Sequence, residues 1–311
     1  MIGKKELRKE ITKMISNSSQ PPTFKRQKFL LAFIKSAGGT LSYMDFQKLL
    51  FLYLQRTNDS CYEFVPYLYG CYSFQAARDI DTLGAMGWLD KKDESIRLLD
   101  SRVSSGSDDF FLESFHDEYR NIRGNALVRQ VYREFPYFAI NSKIAGELMD
   151  GDELAIIKQK KTDLKKNEAV IFTIGYEGLS LEKYLNILIQ NDVRVLCDVR
   201  NNPISRKFGF SKDMLSHAVT KIGIDYVHYP ELGIASGKRK HLSAEADYAS
   251  LFEEYARQLP AKKSFVDVLF SIYMDKKRIA LTCFEHDPAH CHRHVLSDYL
   301  ATKYHVKVAH L

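Results

Sequence analysis

The sequence contains no run of 18 apolar residues, so no membrane-spanning helix is expected. Its opening residues, MIGKKELRKEITKMISNSS, carry charge without a continuous apolar stretch, so a secretory signal is not expected either. Cysteine is scarce: Cys61, Cys71, Cys197, Cys283 and Cys291 are the only five in 311 residues. An odd and scattered set does not make a disulfide framework, and a reducing, cytoplasmic setting follows. No internal repeat and no full GxGxxG fingerprint occur. Neither sign of charge dominates. The 45 basic and 39 acidic residues leave a formal charge of +6, which permits contact with nucleic acid or nucleotides without demanding it.

What is present suffices for two domains. The length is about two typical domains, and an apolar share of 45% can fill two cores. In the first part, residues 25–37 (KRQKFLLAFIKSA) and 43–55 (YMDFQKLLFLYLQ) space apolar side chains as helices do. Gly38-Gly39 stops the first, and Ser42 is placed to cap the second. Residues 73–86 predict a third helix with Ser73 as its cap. Ser95–Leu99 reads as a short strand, which suggests a winged-helix-like arrangement. Further helices are expected over 110–121, 124–134 and 142–150. The lysine-rich stretch 158–166 (KQKKTDLKK) has no apolar face and reads as a solvated linker, with phosphate contact as the alternative. The expected division is therefore a mainly helical domain over 1–157, a basic linker over 158–168 and a second domain over 169–311.

From 169 onward, strand-length apolar runs alternate with helical patterns. Strands are expected at 170–174, 193–198, 226–229, 279–284 and 306–309. Helices are expected at 179–190, 211–222, 244–259, 263–275 and from His292 or Arg293 to about Lys303. This alternation predicts an α/β domain with a mostly parallel sheet and helices on both faces.

Ligands of open α/β sheets bind beyond the carboxyl ends of the strands. Those ends carry Gly175-Tyr176-Glu177-Gly178, then Asp198 to Arg206, then Pro230-Glu231-Leu232-Gly233, then Thr282 to Arg293. Arg200, Arg206 and Arg293 present guanidinium forks suited to phosphate or carboxylate. Arg293 also lies near a helix start, where free N–H groups favour an anion. Each residue has a plainer reading. Gly175 and Gly178 suit a tight turn, and Asp198 with Arg200 makes an ordinary ion pair. Cys283 is a small hydrophobe, and His292 is a cap or core residue. Cys291, between two histidines and at a helix start, is placed to gain thiolate character and act as a nucleophile. Cys283, Cys291 and His292 also invite zinc, although C-x7-C-H matches no familiar zinc spacing. The basic loop 236–241 reads either as an exposed loop or as a lid over an acidic ligand.

These stretches, TIGYEG (173–178), DVRNNPISR (198–206), ELG (231–233) and LTCFEHDPAHCHR (281–293), closely resemble the Domain of Unknown Function 488 family over 169–311. The resemblance implies that the residues selected on chemical grounds are the family's motif positions, and it implies no settled activity. In the first domain, QKLLFLYL (47–54) and EFVPYLYGCYSF (63–74) resemble the Panacea or SocA-like domain, known from antitoxins and phage-associated proteins. Tyr69-Gly70-Cys71 stands where that family has tyrosine-glycine-proline. A short likeness to rhodaneses in LCDVR (196–200) carries no activity over, because no compact cysteine loop follows.

The leading expectation is an enzyme acting on a phosphate-bearing substrate, nucleic acid or nucleotide, by hydrolysis or group transfer. Tyr176, Arg200, Arg206, His292 and Arg293 would bind the substrate. Glu177, Asp198 or Glu285 would serve as acid or base, with Cys291 as the reserve nucleophile. A non-enzymatic regulator of antitoxin type is the second reading, with the N-terminal domain contacting DNA or a protein partner. A zinc-organised interaction domain, with Cys283, Cys291 and His292 as ligands, is the third. No other cofactor and no membrane partner is expected.

Overall fold

In the computed structural model the described residues are 22–99, 109–239 and 245–311. They divide into two compact units, one ending at Ile157 and one beginning at Lys158. No described helix is long and apolar enough to cross a membrane.

In the first unit α1 (Lys25–Ser36) ends before Gly38 and Gly39, whose φ angles of 90° and 78° are open to glycine at no steric cost. Strand β1 (Thr40–Ser42) leads into α2 (Tyr43–Thr57). The Ser42 hydroxyl accepts from the Asp45 amide at 3.0 Å, satisfying one of the donors a helix start leaves unpaired. A hairpin follows, β2 (Val65–Tyr67) with β3 (Gly70–Tyr72), and then α3 (Phe74–Ala85), capped by Ser73. Strands β4 (Leu89–Lys92) and β5 (Ser95–Leu98) join β1 in an antiparallel sheet of order β1-β5-β4. The next helices are α4 (Asp109–Glu118), α5 (Gly124–Glu134), α6 (Ala145–Leu148) and α7 (Gly151–Asp163). Helix α2 is central, with Phe46, Leu49, Leu50 and Phe51 fully buried among α1, α3 and α5 residues. Two expectations change here. Residues 142–150 hold a single helical turn rather than a full helix, and the lysine-rich stretch is helical as far as Asp163. Its side chains are solvated nonetheless, because no apolar stripe exists there to bury.

The second unit alternates as its sequence predicts. It runs β6 (Val170–Gly175), α8 (Leu181–Gln190), β7 (Val195–Asp198), α9 (Lys212–Lys221), β8 (Asp225–His228), α10 (Glu245–Gln258), α11 (Lys263–Lys276), β9 (Arg278–Cys283), α12 (His292–Tyr304) and β10 (Val308–His310). All five strands pair in parallel, in the order β10-β6-β9-β7-β8. Side chains alternate between faces along each strand. On one face Ile171, Val195, Cys197, Ile279 and Leu281 share a core with Leu251, Val266, Leu269 and Leu296 of α10, α11 and α12. On the other, Tyr184 of α8 donates to Thr282 Oγ1 at 2.8 Å. The strand order places β6, β9, β7 and β8 side by side, so their carboxyl ends form one row. The neighbouring strands β9 and β7 send their chains apart, β9 toward β10 and β7 toward β8. That divergence is the switch point at which open α/β sheets hold ligands.

Candidate functional site

The four strand-end loops meet, and two glycines permit it. A Cβ on Gly175, the last residue of β6, would lie 1.7 Å from the Glu285 carbonyl oxygen of the loop after β9. A Cβ on Gly233, after β8, would lie 2.2 Å from the Asn201 amide nitrogen of the loop after β7. Hydrogen bonds complete the join. The His286 amide donates to Glu177 Oε2 at 3.0 Å, Asn201 Nδ2 donates to the Pro230 carbonyl at 3.1 Å, and His228 Nε2 lies 2.9 Å from the Arg200 carbonyl.

Asp198 and Arg200 form the structural centre of this end. Asp198 is 0% exposed and Arg200 5%. Arg200 Nε donates to Asp198 Oδ1 at 2.8 Å, and its Nη2 donates to Oδ2. Its Nη1 donates to the Phe210 carbonyl at 2.7 Å and to the Tyr176 hydroxyl at 3.0 Å. Tyr226 donates to Asp198 Oδ2 at 2.6 Å. Burial works against the Arg200 charge, but Asp198 outweighs it and holds the guanidinium above its ordinary value. The Tyr176 ring stacks on Phe210, with centroids 4.3 Å apart.

The arginines therefore do not make the shared anion pocket their residue type suggests. Arg200 is committed to Asp198. Arg293 is 0% exposed, and its Nη2 donates to the His286 carbonyl at 2.7 Å, its Nη1 to the Glu285 carbonyl, and its Nε to Thr173 Oγ1 at 3.4 Å. Arg206 alone lies on the surface. Buried guanidinium donors are used up on protein acceptors, because an unsatisfied one costs too much to bury. Asp198 is likewise closed off from any substrate. Tyr176 is buried, and Glu177 is exposed but ties two loops together.

Beside this pair lies a compact sulfur–imidazole cluster. Cys283 ends β9, Cys291 immediately precedes α12, and His292 is the first residue of α12; all three are buried. The His292 Nδ1 lies 3.7 Å from Cys283 Sγ and 3.8 Å from Cys291 Sγ. Its Nε2 lies 3.0 Å from the Val199 carbonyl, which only accepts, so Nε2 carries the proton. Glu285, half-buried, brings Oε2 within 3.3 Å of Cys283 Sγ. Burial pushes the Cys291 thiol well above its ordinary value, Cys283 adds to the effect, and Arg293 opposes it. The expected activation of Cys291 by the helix start is thus overridden by desolvation, and the buried thiol is no ready nucleophile for a substrate.

A cavity of about 230 Å³ opens beside the β7 and β8 ends, lined among others by Asn201, Glu231, Lys238, Glu254, Tyr255, Gln258 and Lys262. Lys238 pairs with Glu254 at 2.5 Å, whereas the Lys262 ammonium lies 5.3 Å over the Tyr255 ring. Burial lowers the pKa of Lys262, and the charge of Lys238 lowers it further. The basic loop begins with a 3-10 turn at Ser236–Arg239, while Lys240 and His241 lie outside the described residues. Sequence reasoning missed Lys262, Tyr255 and Tyr226. Tyr226 is detectable as a polar-tipped residue in a short strand. Tyr255 sits in α10 and Lys262 ends the 3-10 turn Leu259–Lys262 before α11, and the placement of these elements beside the strand ends leaves no local signal.

Fold and site together define a parallel α/β domain, wound in both directions, with its polar residues gathered at the strand ends. This region carries the DUF488 domain, described as a domain of unknown function, whose family model matches residues 180–300. The matched span contains the loops after β7, β8 and β9 and begins just after the loop that follows β6. No curated protein and no solved structure matches the chain.

Proposed function

We propose that the C-terminal unit binds and acts on a phosphate-bearing substrate, a nucleotide or the end of a nucleic acid, at the cavity beside β7 and β8. The observation that carries this reading is Lys262. It is a partly buried cation that makes no salt bridge among the described residues; Lys238 repels it, Glu231 only partly offsets that repulsion, and it lines a cavity at the end of the sheet where ligands bind. An anion would relieve that repulsion. Asn201 and Gln258 supply neutral donors in the same lining, and the Glu231 carboxylate, whose charge acts on Lys262, is the candidate acid or base. The volume is below the usual range of roughly 300–1,000 Å³ for small-molecule pockets, which favours a phosphate with its immediate substituent over a whole dinucleotide. The anion-binding role expected of Arg200 and Arg293 passes to lysines because those arginines are spent inside the fold.

The test is binding of the full chain to mononucleotides and to oligonucleotides with and without a terminal phosphate. Lys262→Ala should weaken binding by roughly tenfold, about 1.4 kcal/mol, and flatten its salt dependence. Equal binding by the wild type and a Lys238→Ala/Lys262→Ala variant refutes the reading. Product analysis of the same incubations separates an enzyme from a binder. A second reading rests on the first unit, where α1 to α3 with the β1-β5-β4 ribbon support a winged-helix-like DNA-binding module. Together with the likeness to Panacea or SocA-like domains, this favours a regulator of antitoxin type. It requires duplex DNA affinity that falls steeply with salt and no turnover of any substrate.

A further inference from the structure

The sulfur–imidazole cluster has no part in that cavity, and its geometry asks for a different ligand. Three donor atoms, Cys283 Sγ, Cys291 Sγ and His292 Nδ1, lie within 4.8 Å of one another. Tetrahedral zinc, with Zn–S near 2.3 Å and Zn–N near 2.0–2.1 Å, requires S···N separations of about 3.5 Å. The observed 3.7 and 3.8 Å differ from that by a few tenths of an ångström. The imidazole is also oriented for the task. Its Nε2–H is held by the Val199 carbonyl, which leaves the Nδ1 lone pair aimed at the two sulfurs, the outer-shell arrangement typical of a ligating histidine. Tyr255 packs edge-on against the same ring, with centroids 5.5 Å apart, and further limits its rotation.

We infer that Cys283, Cys291 and His292 bind a zinc ion, with the Glu285 carboxylate beside the cluster, 3.3 Å from Cys283 Sγ. Two thiolates and an imidazole form a soft donor set that selects zinc over magnesium or calcium. Charge is balanced as well. Two thiolates neutralise the divalent cation. Arg293 grips the Glu285 and His286 carbonyls and so fixes the loop that carries Glu285 toward the cluster. The ion would fasten the end of β9 to the start of α12 and, through His292, to the end of β7. It would therefore hold two of the four strand-end loops, those after β9 and β7, in register. The inference stands independently of the phosphate-ligand reading, since it concerns different residues and a different assay.

The experiment is metal analysis of the full chain, purified under reducing conditions without chelator and dialysed against trace zinc. About one zinc per chain is expected, falling to background in Cys291→Ser and in His292→Ala, and retained in Cys197→Ala. Replacement by cobalt should give the thiolate-to-metal charge-transfer and strong visible bands of a tetrahedral thiolate site. Should the variants fail to fold, the wild type still decides. Cys283 and Cys291 must become open to alkylation when a chelator is added, while Cys71 and Cys197 do not change. Zinc at background in the wild type, zinc retained in both ligand variants, alkylation indifferent to chelator, or a Cys283–Cys291 disulfide in the reduced preparation would each overturn it.

Discussion

Replacing Arg200 separates a structural arginine from a ligand-binding one. In Arg200→Ala the Asp198 carboxylate, 0% exposed, loses both guanidinium bonds and keeps the Arg200 backbone amide and the Tyr226 hydroxyl. Breaking a buried pair by removing one partner costs roughly 3–5 kcal/mol. The two surviving donors place the expected loss near the lower end, about 3 kcal/mol. For a unit of this size each kcal/mol is about 2–4 °C in Tm, so a fall of about 6–12 °C is expected. Arg206→Ala, at an exposed position, should stay within about 0.5 kcal/mol of wild type. Urea unfolding followed by far-ultraviolet circular dichroism is the assay. Trp88, the chain's single tryptophan, lies in the first unit, so its fluorescence supplies an internal reference that should not move. A double variant Asp198→Asn/Arg200→Met removes both charges together. It should cost at least about 1 kcal/mol less than the sum of the single changes. An Arg200→Ala protein that unfolds at the wild-type midpoint but no longer binds ligand refutes the structural assignment and restores a direct role for this guanidinium.

Other expectations follow from specific contacts. Burial lowers the pKa of His116 from 6.5 to about 4, and Arg123 adds to the shift. Between those values the unfolded chain holds a proton that the folded chain does not. Stability is therefore full above about pH 6.5 and is lost as pH falls toward 4, by about 2 kcal/mol at pH 5. His116→Phe should remove that part of the slope in the Trp88 signal, and an unchanged slope would show that other groups cause it. Gly175→Ala puts a Cβ 1.7 Å from a carbonyl oxygen at ordinary φ, whereas Gly178→Ala meets nothing within 4 Å but must adopt φ +77°. The first should cost at least about 1–3 kcal/mol and the second about 1–2 kcal/mol; a Gly175→Ala protein that unfolds at the wild-type Tm would contradict the close packing of β6 against the loop after β9.

The local chemistry of the chain was written in its order of residues. Ser42 and Ser73 cap the helices they precede, since a cap needs only a hydroxyl three residues ahead of an amide. The buried strands β6 and β9 read as mostly apolar runs because both of their faces are covered. The motif residues after each strand were legible as polar chemistry at strand ends, and the strand order β10-β6-β9-β7-β8 is what brings those ends together. Their individual tasks were decided by tertiary structure. Arg200, Arg206 and Arg293 are alike as letters, yet two are buried and consumed by internal acceptors, and one faces solvent. Burial, which no single residue encodes, sets whether a guanidinium is a tool or a brace. The same holds for the C-x7-C-H spacing. It looks wrong for zinc along the chain, but it joins a strand end to a helix start, and only the turn between them brings two sulfurs and one nitrogen to coordination distance.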